Sequence, residues 1–292
     1  MTADVGGQTG DPELAAWLSE WPVRSAAAGV TDANATLASA GPVDREVRVA
    51  SIAKLFTTLA VLVAVEEGSV SLEDPVGPPG STLRHLLSHA SGLAFDDDRV
   101  HAAPGRRRIY SNTGMEAAAA HVAEATGIPF GTYIREAVFE PMGLGATSLR
   151  GSPARDVYST VTDLLTAGRH FLRPTVVHES TFATAVSPQF PELAGVLPEV
   201  GRFDPNQWGL GFELRDGKQP HWTGRTNSPS TFGHFGGTGT FLWVDPEADL
   251  ACTAVSDRGY GPWALEVWPD FSDRVLARFA GEGRLRPGPP QS

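Results

Sequence analysis

The chain has 292 residues, of which 41% are hydrophobic and 20% charged, and its formal net charge at pH 7 is -11. This composition is typical of a globular protein with a substantial buried core, and it excludes a disordered or fibrous chain. The negative charge argues against nucleic acid or an anionic membrane surface as a partner. Cys252 is the single cysteine, so no intrachain disulfide can form, and its apolar neighbours predict an inert thiol in a buried strand.

The N-terminal residues and the apolar stretches bear on where the protein is located. The first residues lack the charged start and the apolar middle of a secretory signal. The longest apolar stretch, residues 55–65, is shorter than the roughly 20 residues that a helix needs to span a bilayer. We therefore expect a cytoplasmic protein without a membrane segment.

The first predicted elements are a helix and three strands. Asp11 is a typical N-cap and Pro12 suits the first helical turn, so residues 13–21 are predicted to form an amphipathic helix. Runs rich in Val, Ala and Thr and then an alternating segment predict antiparallel strands, which lie at residues 22–31, 35–40 and 46–49.

The rest of the chain predicts a buried helix, a helical middle and a return to strands. The nearly continuous apolar stretch 51–67 predicts a helix buried on most sides. Thr160 and Asp163 have the spacing of a capping box. The further helices are predicted at 82–89, 113–126, 129–139, 160–172 and 270–279, and the further strands at 209–214, 238–244 and 249–255.

This order of elements predicts an α/β fold of the α+β type. Both ends of the chain contribute strands to one antiparallel sheet flanked by helices, and the middle is a mainly helical inserted lobe. The predicted division is a sheet lobe of residues 1–70 and 205–280, a helical lobe of residues 71–204, and a disordered tail of residues 281–292. A groove between the lobes is the expected place for a site.

Ser51-Ile52-Ala53-Lys54 is the first candidate for chemistry, because it lies where a strand pattern changes to the buried helix. Backbone donors of a first helical turn stabilise the negative charge that forms when a serine attacks a carbonyl. Lys54 is one turn further on, so its amine can reach Ser51, and burial disfavours the ammonium form. The competing interpretation is that Lys54 extends to the surface, although only one other lysine, Lys218 in a turn, occurs in the chain.

Two further segments carry polar groups that suit a cleft. In Tyr110-Ser111-Asn112, the phenol beside a cationic amine would lose its proton more readily and relay it, and Asn112 would hold a substrate carbonyl. Taken by themselves, Tyr110 is better explained by packing and Asn112 by capping the next helix. The glycine-rich segment 232–240 predicts an edge-like strand where a free backbone N–H donates to an oxyanion.

The three segments, in this order, resemble the penicillin-recognising serine hydrolases, the group of class C beta-lactamases, D-alanyl-D-alanine peptidases and related carboxylesterases. Ser51-Ile52-Ala53-Lys54 matches the S-x-x-K motif, Tyr110-Ser111-Asn112 the Y-x-N motif, and His234-Phe235-Gly236 takes the place of K-T-G. Leu83 to Leu93 and Phe139 to Leu144 also resemble segments of this group, and the resemblance covers about residues 47–280.

The resemblance implies a role for each matched residue. Ser51 would form the acyl-enzyme, Lys54 and Tyr110 would shuttle protons, and Asn112 would contact the substrate. It also implies substrate binding by His234-Phe235-Gly236 and an oxyanion hole made by the backbone N–H groups of Ser51 and Gly237. His234 departs from the lysine of this group and is a poorer anchor for a substrate carboxylate, which argues against an antibiotic or cell-wall role.

Other features are interpreted as structural. His85 and His89 have a spacing that can hold zinc but lack a partner motif, so no metal is expected. The acidic run 96–98 and the basic run 106–108 are interpreted as solvated turns. Two tryptophans, Trp208 and Trp222, either line an acyl pocket or pack in the core.

The function predicted from the sequence is hydrolysis of a small ester or amide through a Ser51 acyl-enzyme, without cofactor. The alternatives are acyl transfer on the same residues, beta-lactamase or D-peptidase activity, and a non-catalytic binding or sensor domain. The expected partner is a small-molecule substrate, and the oligomeric state stays open.

Overall fold

The computed structural model describes residues 10–281, so the first nine residues and residues 282–292 of the predicted tail lie outside the description. The strands are β1 (Ala26–Thr31), β2 (Thr36–Ala40), β3 (Val47–Arg48), β4 (Ser148–Leu149), β5 (Val157–Ser159), β6 (Gly195–Leu197), β7 (Gly201–Phe203), β8 (Glu213–Leu214), β9 (Phe232–Gly236), β10 (Thr240–Asp245) and β11 (Leu250–Ser256). The helices are α1 (Pro12–Ser19), α2 (Ala53–Glu66), α3 (Leu83–Leu87), α4 (Asn112–Thr126), α5 (Phe130–Ile134), α6 (Val161–Leu172), α7 (Glu179–Ala185) and α8 (Pro262–Phe279). A 3-10 turn at Ala50–Ile52 precedes α2, and a π-helical turn at Arg135–Phe139 follows α5.

A six-stranded antiparallel sheet forms the centre of the fold, in the order β2-β1-β11-β10-β9-β8. Its strands come from both ends of the chain, and most of the helices lie between them in sequence. The predicted α/β fold of the α+β type, with an antiparallel sheet flanked by helices, is therefore confirmed. The α1 start is also confirmed, because Asp11 caps the helix by accepting from the Leu14 N–H at 2.8 Å.

The third predicted strand does not join this sheet. β3 pairs with β5, which pairs with β4, in a separate three-stranded sheet. An alternating pattern specifies that a segment is extended, but it does not specify which strand will be its partner. The sheet assignment of residues 46–49 is therefore corrected.

Several boundaries also differ from the prediction. α8 begins at Pro262 rather than at residue 270, and Pro269 lies inside it, although the predicted helix started only after this proline. α7 was not predicted, because its Ser and Thr residues are weak helix formers and only seven residues are helical. At α6, Thr160 accepts from the Asp163 N–H at 3.1 Å, but the Asp163 carboxylate accepts from the Ala146 N–H and the Thr147 hydroxyl instead. The predicted capping box is thus only half formed.

Helix α6 packs directly on the central sheet although the sequence placed it in the helical lobe. The contact is close because each side contributes a glycine: a Cβ at Gly29 of β1 would lie 2.5 Å from the Leu165 side chain, and one at Gly168 of α6 would lie 2.7 Å from the Ala251 Cβ. The division into two lobes stays a prediction.

Two apolar clusters hold the sheet from either side. One surrounds α2 and contains Phe56 and Phe212, and the other contains Trp243, Trp268 and Phe271. Cys252 is buried in the second cluster, and burial raises its pKa well above the usual value, as expected for an inert thiol. Among residues 10–281 no helix is both long and apolar enough to cross a membrane.

Candidate active site

Ser51 lies in the 3-10 turn that leads directly into α2. The preceding Ala50 has a φ of 47°, in the left-handed region that residues with a side chain rarely adopt. Strain of this kind persists only where surrounding structure enforces it. The turn that carries Ser51 is therefore held by its neighbours rather than by its own helical preference.

Strands β9 and β10 supply that restraint. The Thr240 hydroxyl donates to the Val49 carbonyl at 3.0 Å, immediately before the strained turn. Gly236 lies so close that a Cβ there would be 2.3 Å from the same carbonyl oxygen. Gly236 is therefore required for the approach of β9 to the turn, and this packing role is separate from the substrate binding predicted for it.

Lys54 is completely buried one turn after Ser51, so the interpretation that it extends to the surface is wrong. Its Nζ lies 2.6 Å from Asn112 Oδ1, 2.9 Å from the Ala154 carbonyl oxygen and 3.2 Å from Ser51 Oγ. Burial lowers the pKa of Lys54 to about 7, and the charge of Asp96 partly opposes this effect.

The hydrogen-bond partners of Lys54 determine where the lone pair of its neutral amine points. Asn112 Oδ1 and the Ala154 carbonyl can only accept, so they take the two N–H groups of a neutral amine. The remaining lone pair then faces the Ser51 hydroxyl, which is the third neighbour of Nζ. The neutral form of Lys54 is thus oriented to receive the Ser51 proton.

Asn112 is engaged by the protein at both ends of its side chain. Its Oδ1 accepts from Lys54, and its Nδ2 donates to Asp96 Oδ1 at 2.9 Å. Because a carboxylate cannot donate, Asp96 fixes the orientation of the Asn112 amide with its oxygen towards Lys54. Asn112 begins α4, but Ser111 provides the cap by accepting from the Gly114 N–H. The contact that the structure gives Asn112 is therefore with the lysine, and its substrate contact stays a prediction.

Tyr110 and His234 meet at the other side of Ser51. The Tyr110 hydroxyl lies 3.2 Å from His234 Nε2, and His234 Nδ1 lies 2.6 Å from the Phe235 carbonyl oxygen. Burial lowers the pKa of His234 to about 3, so the ring is neutral at physiological pH. Because a carbonyl only accepts, Nδ1 carries the proton, and Nε2 accepts from the Tyr110 hydroxyl.

Burial raises the pKa of Tyr110, and its contact with the Ser51 side chain opposes this only in part. The expectation that Lys54 would make the phenol more acidic is therefore wrong, because desolvation outweighs the nearby amine. Lys54 Nζ lies 4.7 Å from the centre of the Tyr110 ring, against its face. Tyr110 is thus a protonated phenol that touches both Ser51 and His234.

A cavity of about 340 Å³ opens in front of these groups. Four predicted site residues line it, namely Ser51, Tyr110, His234 and Gly237. Lys54, Asn112 and Gly236 do not line it. The Gly236 carbonyl accepts from the Gly239 N–H at 3.0 Å, so the N–H of Gly237, on the opposite side of the same trans peptide, points away from that turn. The walls are mostly apolar, as is usual for small-molecule sites; the other lining residues are Phe95, Leu197, Pro198, Glu199, Phe235 and Tyr260.

Comparison with known families agrees with this arrangement. A family model described as Beta-lactamase matches residues 14–276, which is nearly all of the described chain. The chain belongs to the beta-lactamase family. The resemblance inferred from the three motifs is thereby confirmed.

Individual relatives of this beta-lactamase family protein span different activities. The crystal structure of a beta-lactamase (Mb2281c) from Mycobacterium bovis is 49% identical with a TM-score of 0.90, and the match covers 92% of this chain and 100% of that one. The LovD6 mutant of simvastatin synthase (LovD) from Aspergillus terreus has the same fold at 16% identity, with a TM-score of 0.73, over 91% of this chain and 93% of its own. The D-alanyl-D-alanine-carboxypeptidase/endopeptidase AmpH of Escherichia coli (strain K12) is 23% identical, over 74% of this chain and 71% of its own length.

The other residues considered from the sequence of this beta-lactamase family protein, two tryptophans and a histidine, pack in its interior. Trp208 and Trp222 are each 1% exposed and pack in the core, and neither lines the cavity. His89 is also buried and packs edge-on against Trp208 at 4.7 Å, and its Nδ1 accepts from the Ser111 N–H. Within the described part of the chain, no group of three or more His, Cys, Asp or Glu side chains is placed to hold a metal.

Two charged residues of the predicted solvated turns make specific contacts: Asp96 is exposed as expected, whereas Arg108 is buried. Asp96 bonds to Asn112 and to Arg155, the latter at 2.7 Å. Arg108 is 3% exposed and donates to the carbonyls of Ser88, Gln189, Phe190 and Asn206, which anchors the segment just before Tyr110. Charge runs are usually solvated, and nothing in the local pattern distinguished these two residues from their neighbours.

Proposed function

We propose that the protein is a serine hydrolase that cleaves a small ester or amide through an acyl-enzyme on Ser51. The observation that carries the proposal is the contact of 3.2 Å between Ser51 Oγ and the buried amine of Lys54. Because burial lowers the pKa of Lys54 to about 7, about half of the amine is neutral at pH 7 and available as a base.

Acylation begins with transfer of the Ser51 proton to the lone pair of Lys54, while Oγ attacks the substrate carbonyl carbon. The tetrahedral oxyanion accepts hydrogen bonds from the backbone N–H groups of Ser51 and Gly237. As the bond to the leaving oxygen or nitrogen breaks, the proton held by Lys54 passes through the Tyr110 hydroxyl to the leaving atom. In the resting site His234 positions the phenol by accepting its hydrogen bond, and the hydroxyl turns from His234 to the leaving atom for this transfer.

Deacylation repeats these steps with water as the nucleophile. The water proton passes through the Tyr110 hydroxyl to the neutral amine of Lys54 while the water oxygen adds to the acyl carbon, and the proton then returns from Lys54 to Ser51 Oγ as the ester bond breaks. Replacement of water by an alcohol or an amine would give acyl transfer, which uses the same residues. Product analysis with an added alcohol distinguishes the two reactions.

The test uses the full chain, a short-chain 4-nitrophenyl ester and the Ser51→Ala variant. We expect release of nitrophenol by the wild type, an acyl adduct in its intact mass under rapid quench, and loss of both in the variant. Ser19→Ala serves as the matched control, because Ser19 is exposed at the end of α1, its hydroxyl donates to the Ala16 carbonyl and it does not line the cavity. Turnover retained in Ser51→Ala would overturn the proposal, and absence of adduct and product in the wild type would favour a binding or sensor domain.

Beta-lactam hydrolysis is the second candidate function, because the related structure of 49% identity is described as a beta-lactamase. Against it stands the neutral His234, which offers a substrate carboxylate no positive charge. Rates for a chromogenic cephalosporin and for the nitrophenyl ester, measured on the same preparation, rank the two functions. A higher kcat/KM for the cephalosporin would reverse our order.

A further inference from the structure

The charges of the residues that line the cavity bear on which substrates can enter it. Of the described residues that line the cavity, none is Lys or Arg, and the one charged side chain is Glu199. Glu199 is exposed and has a φ of 60°, so it occupies a strained turn at the rim. A rim with a single carboxylate repels anions and attracts cations.

The cationic residues nearest to the reacting atoms do not offset Glu199. Lys54 lies behind Ser51, and its amine donates to Asn112 and Ala154 rather than into the cavity. Arg155 pairs with Asp96 at 2.7 Å, which neutralises its charge locally. His234 lines the cavity, but both of its nitrogens have partners within the protein.

A second observation points to the same end of the cavity. The Tyr260 hydroxyl is buried and has no hydrogen-bond partner within residues 10–281, although Tyr260 lines the cavity. Glu199 lines the same cavity, and its charge adds to burial in raising the pKa of Tyr260. An unpartnered phenol in a cavity with a carboxylate offers hydrogen bonds to an uncharged or cationic polar group.

Much of the remaining lining is apolar. Phe95 is 50% exposed and stacks on Tyr110, with ring centres 5.9 Å apart, while Leu197 and Pro198 directly precede Glu199 in the lining. An exposed aromatic ring beside a cavity is a surface for an apolar ligand group. A carboxylate moved into these surroundings would lose its hydration without gaining a partner.

We propose that the cavity selects esters and amides with an apolar acyl chain that is uncharged or ends in a cation, and rejects chains that end in a carboxylate, with Glu199 as a specificity-determining residue. This inference rests on the proposed function, since it concerns the substrate of the same Ser51 site. It assigns to Glu199 an effect on substrate choice and none on the chemical step.

The test compares three 4-nitrophenyl esters of similar length, namely pentanoate, the half-ester of glutarate and 4-(trimethylammonio)butyrate. At low salt we expect kcat/KM for the glutarate ester to be at least about tenfold below that for pentanoate, and the cationic ester to equal or exceed pentanoate. Glu199→Gln should lower the ratio of kcat/KM for the cationic ester to kcat/KM for the glutarate ester by about threefold, and Glu199→Lys should lower it by about tenfold. The kcat for pentanoate should not change. Salt at 0.5 M should reduce these effects, because the rim is exposed.

Glu124→Gln is the matched control, since it removes the same charge from an exposed position near the end of α4 and does not line the cavity. It should leave the ratios of kcat/KM among the three esters unchanged. Equal kcat/KM for the glutarate and pentanoate esters, or ratios unaltered in both Glu199 variants, would overturn the inference while leaving the proposed function standing. Failure of the proposed function is recognised separately, because pentanoate turnover would then not depend on Ser51.

Discussion

Asp96→Asn is expected to make the protein more active at acidic pH. Asp96 touches Asn112, which touches Lys54, so its charge stabilises the ammonium form of the lysine through a bridging amide. Asparagine retains an oxygen that accepts from Asn112 Nδ2, so the change removes the charge and keeps the geometry. Without that charge, the pKa of Lys54 should fall below its value of about 7.

The size of the shift follows from the distance between the charges. One amide separates them, with contacts of 2.6 Å to Lys54 and 2.9 Å to Asp96. Charges roughly 7 Å apart, with an effective dielectric constant of about 40 because Asp96 is partly exposed, interact by about 1 kcal/mol. This corresponds to a fall of about half to one pKa unit. Arg155, freed from Asp96, would add to the fall.

The assay is the pH profile of kcat/KM for a neutral nitrophenyl ester between pH 5 and pH 9. Because only the neutral amine accepts the Ser51 proton, the wild-type rate should rise through pH 7 and level off above it. In Asp96→Asn the rise should move to lower pH, which gives about a three- to fivefold gain at pH 6 and little change at pH 9.

Asp97→Asn is the natural control, because the adjacent Asp97 pairs with Arg99 at the surface instead. Its profile should match that of the wild type. If the rise of kcat/KM with pH stays in place or moves to higher pH in Asp96→Asn, the reasoning is refuted, because Asp96 would then not stabilise the ammonium form of Lys54.

Two further predictions concern stability. Gly236→Ala should lower the melting temperature by several degrees, because its Cβ would lie 2.3 Å from the Val49 oxygen, whereas Gly237→Ala, with nothing within 4 Å, should melt like the wild type. Lys54 has a folded pKa of about 7, below its unfolded value of 10.5, so the unfolded state binds more protons between these values and stability rises with pH there. The free energy of unfolding in denaturant should therefore increase by about 1 kcal/mol from pH 7 to pH 8, and Lys54→Met should lack this increase.

Local sequence signals predicted the elements whose causes are local. Asp11 and Pro12 marked the start of α1, and continuous apolar runs marked β10 and β11. The pairing of β3 with β5 escaped prediction, because the partners lie more than a hundred residues apart and each forms only two or three ladder residues. Such short strands are defined by their partners rather than by their own side chains.

In the candidate site, too, contacts set by local geometry were predicted and contacts between distant segments were not. A separation of three residues was enough to predict that Lys54 reaches Ser51, because helical geometry sets that distance. The Ala154 carbonyl, 100 positions after Lys54, carries no side-chain signal at all. His234 was expected to face the substrate alone, and its bond to Tyr110 depends on β9 lying beside the segment before α4.

The two lysines of the chain illustrate how neighbours, rather than burial, select the chemistry of an amine. Lys218, 3% exposed, donates to the Glu213 carboxylate and to two backbone carbonyls. Burial alone would raise the pKa of Glu213, but Lys218 and His221 bring it to about 2, so the carboxylate stays ionised and supports a charged Lys218. Lys54 is as deeply buried, yet its contacts are an amide, a carbonyl and a hydroxyl, all uncharged. Because the nearest carboxylate acts only through Asn112, the pKa of Lys54 falls to about 7, whereas the direct contact with Glu213 opposes the lowering of the Lys218 pKa by burial.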